Sequence, residues 1–100
     1  MARPSKLTDA EIADRLGALP GWSIENGKLH RELRWADFVG AFAFMTAAAL
    51  VAEKMDHHPE WSNVYRTVRI DLTTHSAGGI TSLDFELAAR MNALAAGQAE

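Results

Sequence analysis

The 100-residue chain contains no cysteine. That excludes a disulfide framework, a thiolate metal site and a cysteine nucleophile, and it fits a reducing compartment. Charge of one sign is also lacking: the formal net charge is −3, and no basic stripe gathers along the chain. Nucleic acid is therefore not expected as a direct partner. A glycine-rich phosphate loop is missing as well, since the "AGG" at 77–79 reads as a turn. The opening "MARPSKLTDAEIADRL" has no apolar centre of the kind a signal peptide carries. The longest uncharged run, "FVGAFAFMTAAALVA" from Phe38 to Ala52, is shorter than the roughly 20 residues that span a bilayer. A soluble cytoplasmic protein with no membrane partner is the expectation.

What is present is an apolar fraction of 48%, enough for one domain over residues 1–100 to bury a core. Thr8 followed by Glu11 forms a capping box, and Ile12, Leu16 and Leu19 continue a short helix that Pro20-Gly21 stops. "WSIENGKLHREL" reads as a hairpin with Asn26-Gly27 at its tip, the dipeptide a type I′ turn prefers. That register sets Ile24 opposite Leu29 and Ser23 opposite His30. Trp22, Ile24, Leu29 and Leu33 then share one face, while Ser23, Glu25, Lys28, His30 and Glu32 share a polar one.

From Ala36 to His57 the pattern predicts one long helix, apolar almost all round in its first half. Such a helix is buried on all sides, and a chain this short has few elements to cover it. Phe42 and Phe44 point about 200° apart, so one packs on its own sheet and the other needs a second partner. The alanines at 41, 43, 47, 48 and 49 allow close approach of another copy, which makes a homodimer or homotetramer the expectation. On this reading Ala48 lies on the side away from the sheet. Pro59 is expected to end the helix.

"NVYRTVRIDLTTH" alternates over Val64, Val68, Ile70, Leu72 and Thr74, the period of a half-buried strand, and reads as one strand bent near Tyr65 or Arg66. Thr81 with Asp84 opens a last helix carrying Leu83, Leu87, Met91 and Leu94. The order predicts an α+β domain, with helices on one face of an antiparallel sheet.

Two of the chain's four histidines stand side by side in "DHHPEW", Asp56 to Trp61. Pro59 pulls His58 into extended backbone, so the two rings can line different walls of one cleft. His57 is expected near the negative end of the helix, with Glu53 one turn earlier to hold its imidazole. A proton donor working near neutral pH uses such an arrangement, but a histidine near a helix end also serves as a plain cap. With His75 ending the following strand, the residues alone leave both readings open. His30 has a simpler place, exposed on the polar sheet face. Adjacent histidines rarely chelate one ion, and a metal site is the weaker reading. Ser76 and Ser82 lie on no nucleophile elbow. Trp61 and Tyr65 suit a stacking wall for a flat heterocycle, although aromatics beside a strand are more often core. Arg66, Arg69 and Asp71 read as solvated sheet charges.

"EKMDHHPEWSNVYRTVRIDLTTH", Glu53 to His75, resembles the signature region of the pterin-4a-carbinolamine dehydratases. The likeness extends through "GWSIENGKLHREL" and "FAFMTAAALVAEK" to "GGITSLDFELAARMNAL", nearly the whole chain. It implies an α-β-β-α-β-β-α domain, an antiparallel four-stranded sheet with three helices on one face, so that the segment from Asn63 to Thr74 breaks into two strands. It implies homo-oligomers, no metal and no cofactor. The implied activity removes water from a 4a-hydroxytetrahydropterin to give quinonoid dihydropterin, which is then recycled for aromatic amino acid hydroxylases. Matched residue by residue, the catalytic histidines fall on His57, His58 and His75. Asp56, Pro59, Thr74, Ser76 and Ala77, with Glu53 and Trp61, are expected to line the pterin pocket. One departure is Leu83, where relatives carry a basic residue. The competing class is a dimerisation or assembly module of the same fold. The retained histidines favour the enzyme, because dehydration of a carbinolamine needs proton transfers near neutral pH and nothing nucleophilic or redox-active.

Overall fold

The computed structural model describes residues 4–100. Its elements are α1 (Asp9–Leu16), β1 (Ser23–Glu25), β2 (Lys28–Arg34), α2 (Phe38–Met55), β3 (Glu60–Val64), β4 (Thr67–Leu72), a 3₁₀ turn (His75–Ala77) and α3 (Ser82–Ala95). The α-β-β-α-β-β-α order is the one expected. The four strands form an antiparallel sheet in the order β1-β2-β4-β3.

Local chemistry sets the first half. The Thr8 hydroxyl accepts from the Glu11 amide and the Glu11 carboxylate accepts from the Thr8 amide, closing the predicted capping box. Asn26 and Gly27 both take positive φ, 53° and 75°, as the hairpin tip requires. The register pairs Ile24 with Leu29 and Ser23 with His30, as read from the sequence. Leu29, Leu33, Val68, Ile70 and Leu72 then point into the core with α2 and α3 packed over them, leaving the opposite sheet face polar.

The second hairpin corrects one expectation. Val64 pairs with Thr67 across a two-residue turn at Tyr65-Arg66, so the strand does not continue through it. The turn reverses the alternation: Val64 lies 75% exposed on the polar face, while Val68 is fully buried. Tyr65 sits in the left-handed region, at φ 51°, which disfavours residues other than glycine. Asn63 supplies the compensation, its Nδ2 donating to the carbonyls of Tyr65 and Thr67 at 3.0 Å each.

α2 also departs from the reading in two ways. It ends at Met55, before His57 and four residues short of Pro59. Asp56 turns left-handed at φ 52°, its amide bonded to the Glu53 carbonyl and the His57 amide to the Ala52 carbonyl. This is a Schellman termination, with Asp56 in the place glycine usually takes. Phe44 packs on Trp35 with ring centroids 5.0 Å apart, and Ala41, Ala48 and Ala52 are buried beside it. Ala48 therefore faces this chain's own core, and not away from the sheet. The outward side carries Phe38, Val39, Phe42 and Leu50 instead.

Replacing Asn63 by alanine removes both bonds that hold the Tyr65 turn. Urea denaturation of Asn63→Ala should show a loss of about 1–2 kcal/mol, and an unchanged midpoint would show that the turn holds without it.

Candidate functional site

The early end of α2 decides where the two adjacent histidines go. Past the left-handed Asp56 the chain doubles back, and His57 enters the interior, 5% exposed. Its Nε2–H donates to the Asp84 carboxylate at 2.5 Å. Asp84 is fully buried in the first turn of α3. His58, in extended chain before Pro59, stays outside and donates from Nε2 to Glu53 at 2.8 Å. The expected partner of the first histidine thus belongs to the second.

Asp84 accepts more than the imidazole. Its other oxygen takes the Thr81 amide and the Thr74 hydroxyl, each at 2.8 Å. Because Thr74 spends its one hydroxyl proton on Asp84, the Thr81 hydroxyl donates to Thr74 Oγ at 2.8 Å and accepts from the Leu83 amide. One carboxylate thereby joins the loop after α2, the end of β4 and the start of α3. A buried carboxylate is tolerable only when its lone pairs are filled in this way. Sequence reading found Asp84 as a capping residue and missed its bond to His57, which lies 27 positions away.

His75 follows directly on Thr74 and opens the 3₁₀ turn. Its imidazole is 79% exposed, and its Nε2–H donates to Glu60 at 2.8 Å. The other Glu60 oxygen accepts from Lys28 Nζ at 2.5 Å. The hydrogen bond from Lys28, then that from His75, holds the Glu60 carboxyl below the usual carboxylate range. The bond to Glu60 in turn raises the Lys28 ammonium. Neither Lys28 nor Glu60 was singled out in the sequence; the PEW motif and the hairpin register were the signals available.

His57, His58 and His75 therefore share one construction, each fixed through Nε2 on a carboxylate. A ring so anchored keeps a defined tautomer and leaves its Nδ1 side to other partners. Among the remaining expected residues, Asp56 is exposed at the cap, Pro59 is half-buried, and Trp61 is half-buried against the core. Thr74 is buried with its hydroxyl committed to Asp84. Ser76 and Ala77 border an open depression of about 470 Å³ with Pro4, Ser5 and Lys6. Leu83 is half-buried on the outer side of α3's first turn. His30 lies on the polar face as expected but is half-buried, bonded to Asp71 at 2.9 Å. Among the described residues, no group of three or more His, Cys, Asp or Glu is disposed to hold a metal ion.

The comparisons with known proteins agree with this architecture. The model of the family described as Pterin 4 alpha carbinolamine dehydratase matches residues 5–94. A protein of Solibacter usitatus with the provisional name pterin-4-alpha-carbinolamine dehydratase is 60% identical over 93 residues, covering 93% of this chain and 98% of the relative. A second so named, from Chelativorans sp., is 54% identical over 98 residues, covering 96% and 99%. A crystal structure described as a transcriptional coactivator/pterin dehydratase from Brucella melitensis superposes with a TM-score of 0.88 at 47% identity, over 91% of this chain and 99% of that one.

The network makes a stability prediction. Asp84→Ala strands the His57 ring and both threonines in the interior, and should cost about 3–5 kcal/mol by denaturant unfolding. Thr74→Val keeps the shape and removes one donor, and should cost about 1 kcal/mol. Equal small losses in both would mean that Asp84 is not the hub.

Proposed function

The chain belongs to the pterin 4 alpha carbinolamine dehydratase family, and we propose on that premise that it is a hydro-lyase. It removes water from a 4a-hydroxytetrahydropterin to give quinonoid dihydropterin, in support of tetrahydropterin recycling for aromatic amino acid hydroxylases. The observation that carries the reading is the three imidazoles fixed on carboxylates around the ends of α2 and β4. The reaction breaks the carbon–oxygen bond at the carbinol carbon as hydroxide takes up a proton. The adjacent ring nitrogen gives up its own proton, and its electrons form the new carbon–nitrogen double bond. An acid and a base are needed, and imidazole serves as either near neutral pH. His57, His58 and His75 form the proposed set, with Asp56, Pro59, Ser76 and Ala77 beside the pterin and Glu53 holding His58. No metal or cofactor enters the proposed chemistry, and a chelator should leave the rate unchanged.

The three histidines differ in a way the sequence did not disclose. His58 and His75 are exposed, so replacing either by alanine should lower turnover of synthetic 4a-hydroxytetrahydropterin by about 10²–10⁴-fold with little change in stability. His57 is buried on a buried carboxylate, so His57→Ala should lower turnover and also cost roughly 2–3 kcal/mol of stability. His30→Ala should be near neutral. Full turnover in both His58→Ala and His75→Ala would refute the assignment.

The same proposal includes a homodimer or homotetramer in the cytoplasm. By length and composition α2 is apolar enough to cross a membrane, so shortness does not exclude that role, contrary to the sequence reading. Packing stands against it, since Ala41, Phe44, Ala48 and Ala52 are buried on this chain's own sheet and α3. The uncovered Phe38, Val39, Phe42 and Leu50 favour a second copy. The coactivator in the description of the Brucella structure makes a foreign protein partner the second reading of the same surface. Phe42→Glu should yield a folded monomer in sedimentation, whereas Ala48→Glu should unfold the chain. A wild-type monomer at all concentrations would refute self-association.

A further inference from the structure

We propose that Lys28 is a positioning residue for the proposed reaction, acting through Glu60 to fix the tautomer and charge environment of His75. The inference rests on the reading of His75 as a proton-transfer group. Lys28 stands at the first position of β2, and β4 lies between it and Glu60 on β3. Its side chain therefore crosses the polar face of a neighbouring strand to reach Glu60 Oε1, whose partner oxygen holds His75. Such a span orders a long, flexible side chain, which costs entropy, and the usual worth of an exposed ion pair is small. Here the contact ends one bond from a site histidine.

Two effects on His75 follow. With Lys28 on one oxygen, the carboxylate is held in place and its second oxygen meets the imidazole at Nε2. The ring then donates from Nε2 and keeps the lone pair of its neutral form on Nδ1. Secondly, a lone carboxylate beside an imidazole favours imidazolium, and one already paired with an ammonium does so less. Lys28 thus lets Glu60 orient His75 while dividing the negative charge that His75 meets. The other charged groups on this face are Asp71 and Arg69 on β4, His30, Glu32 and Arg34 on β2 and Glu25 on β1 opposite Lys28, and Lys6 lies against the 3₁₀ turn beside Ser76 and Ala77. Asp71 is bonded to His30, and Glu25 lies 3.5 Å from the same ring. Glu53 is engaged with His58. Lys28 is the cation bonded to the Glu60 that holds His75.

The test uses the full chain with Lys28→Met, Lys28→Arg and Glu60→Gln. Two readouts apply: the pH dependence of kcat/KM with 4a-hydroxytetrahydropterin, and long-range ¹H–¹⁵N spectra that report the His75 tautomer, assigned by loss in His75→Asn. Lys28→Met should move the acid limb of the pH profile up, Glu60→Gln should move it down, and Lys28→Arg should restore it. Opposite movements at the two positions are not the mark of a merely structural role. The Nε2–H tautomer should dominate in wild type and mix with the other in Glu60→Gln. An acid limb and tautomer in Lys28→Met identical to wild type, or Lys28→Arg no better than Lys28→Met, would overturn the proposal. Full turnover in His75→Asn would overturn the reaction assignment of His75 instead, and the tautomer spectra would still decide whether Lys28 governs the ring.

Discussion

A fully buried carboxylate, Asp84, is the constraint on which the rest of this structure depends. An ionised group out of water is costly unless its lone pairs are filled, and removing any one partner returns part of that cost. Asp84 meets the requirement with three donors drawn from three places: His57 after α2, Thr74 after β4, and the Thr81 amide at the start of α3. Those segments cannot drift independently without exposing the carboxylate to an unsatisfied interior. The same carboxylate that caps α3 thus holds the buried His57 ring. Helix start and histidine anchor are one device.

How the sheet is made follows from the same economy of parts. One face carries Leu29, Leu33, Val68, Ile70 and Leu72 into the core. The other keeps a ladder of charges in water, and there Lys28, Glu60, His30, Asp71, Glu32 and Arg69 pair across strands. A polar open face costs little in stability and permits Lys28 to reach across to the Glu60 that holds His75. α2 is used differently. One stripe of small residues and Phe44 seals the core, and the opposite arc remains apolar and uncovered. The residues that would ordinarily solubilise a surface helix are absent from most of that arc.

Much of this was legible in the residues because it is local. Asn26-Gly27 announces a turn with two positive φ values, and Thr8 with Glu11 and Thr81 with Asp84 announce helix starts within four positions. The all-round apolarity of α2 foretold a helix with more apolar surface than this chain covers. The family likeness located the strand break, which no glycine or proline marks. What escaped was non-local, or used an unusual residue in a familiar role. Asp56 and Tyr65 occupy left-handed backbone where glycine is the usual signal. Periodicity therefore ran α2 on to His57, and it set Val64 on the wrong face. The bonds of His57 to Asp84 and of Lys28 to Glu60 span 27 and 32 positions, and nothing in spacing or propensity encodes such a meeting. The three histidines could be named from the sequence. Which is buried, and which carboxylate holds each, could not.

That division bears on how one motif supplies unlike groups. Here a single left-handed residue followed by a proline-restricted one sends His57 inward and His58 outward. His57 trades solvent for a buried carboxylate and becomes part of the core's polar framework. His58 and His75 remain in water, each on an exposed or half-exposed glutamate. Their anchors differ in turn, because Glu60 is shared with Lys28. The same ring chemistry is thereby set in three electrostatic environments, with no change of residue type. Backbone geometry together with one cross-sheet lysine is sufficient to produce that asymmetry, and the proposed dehydration would use it to set an acid apart from a base.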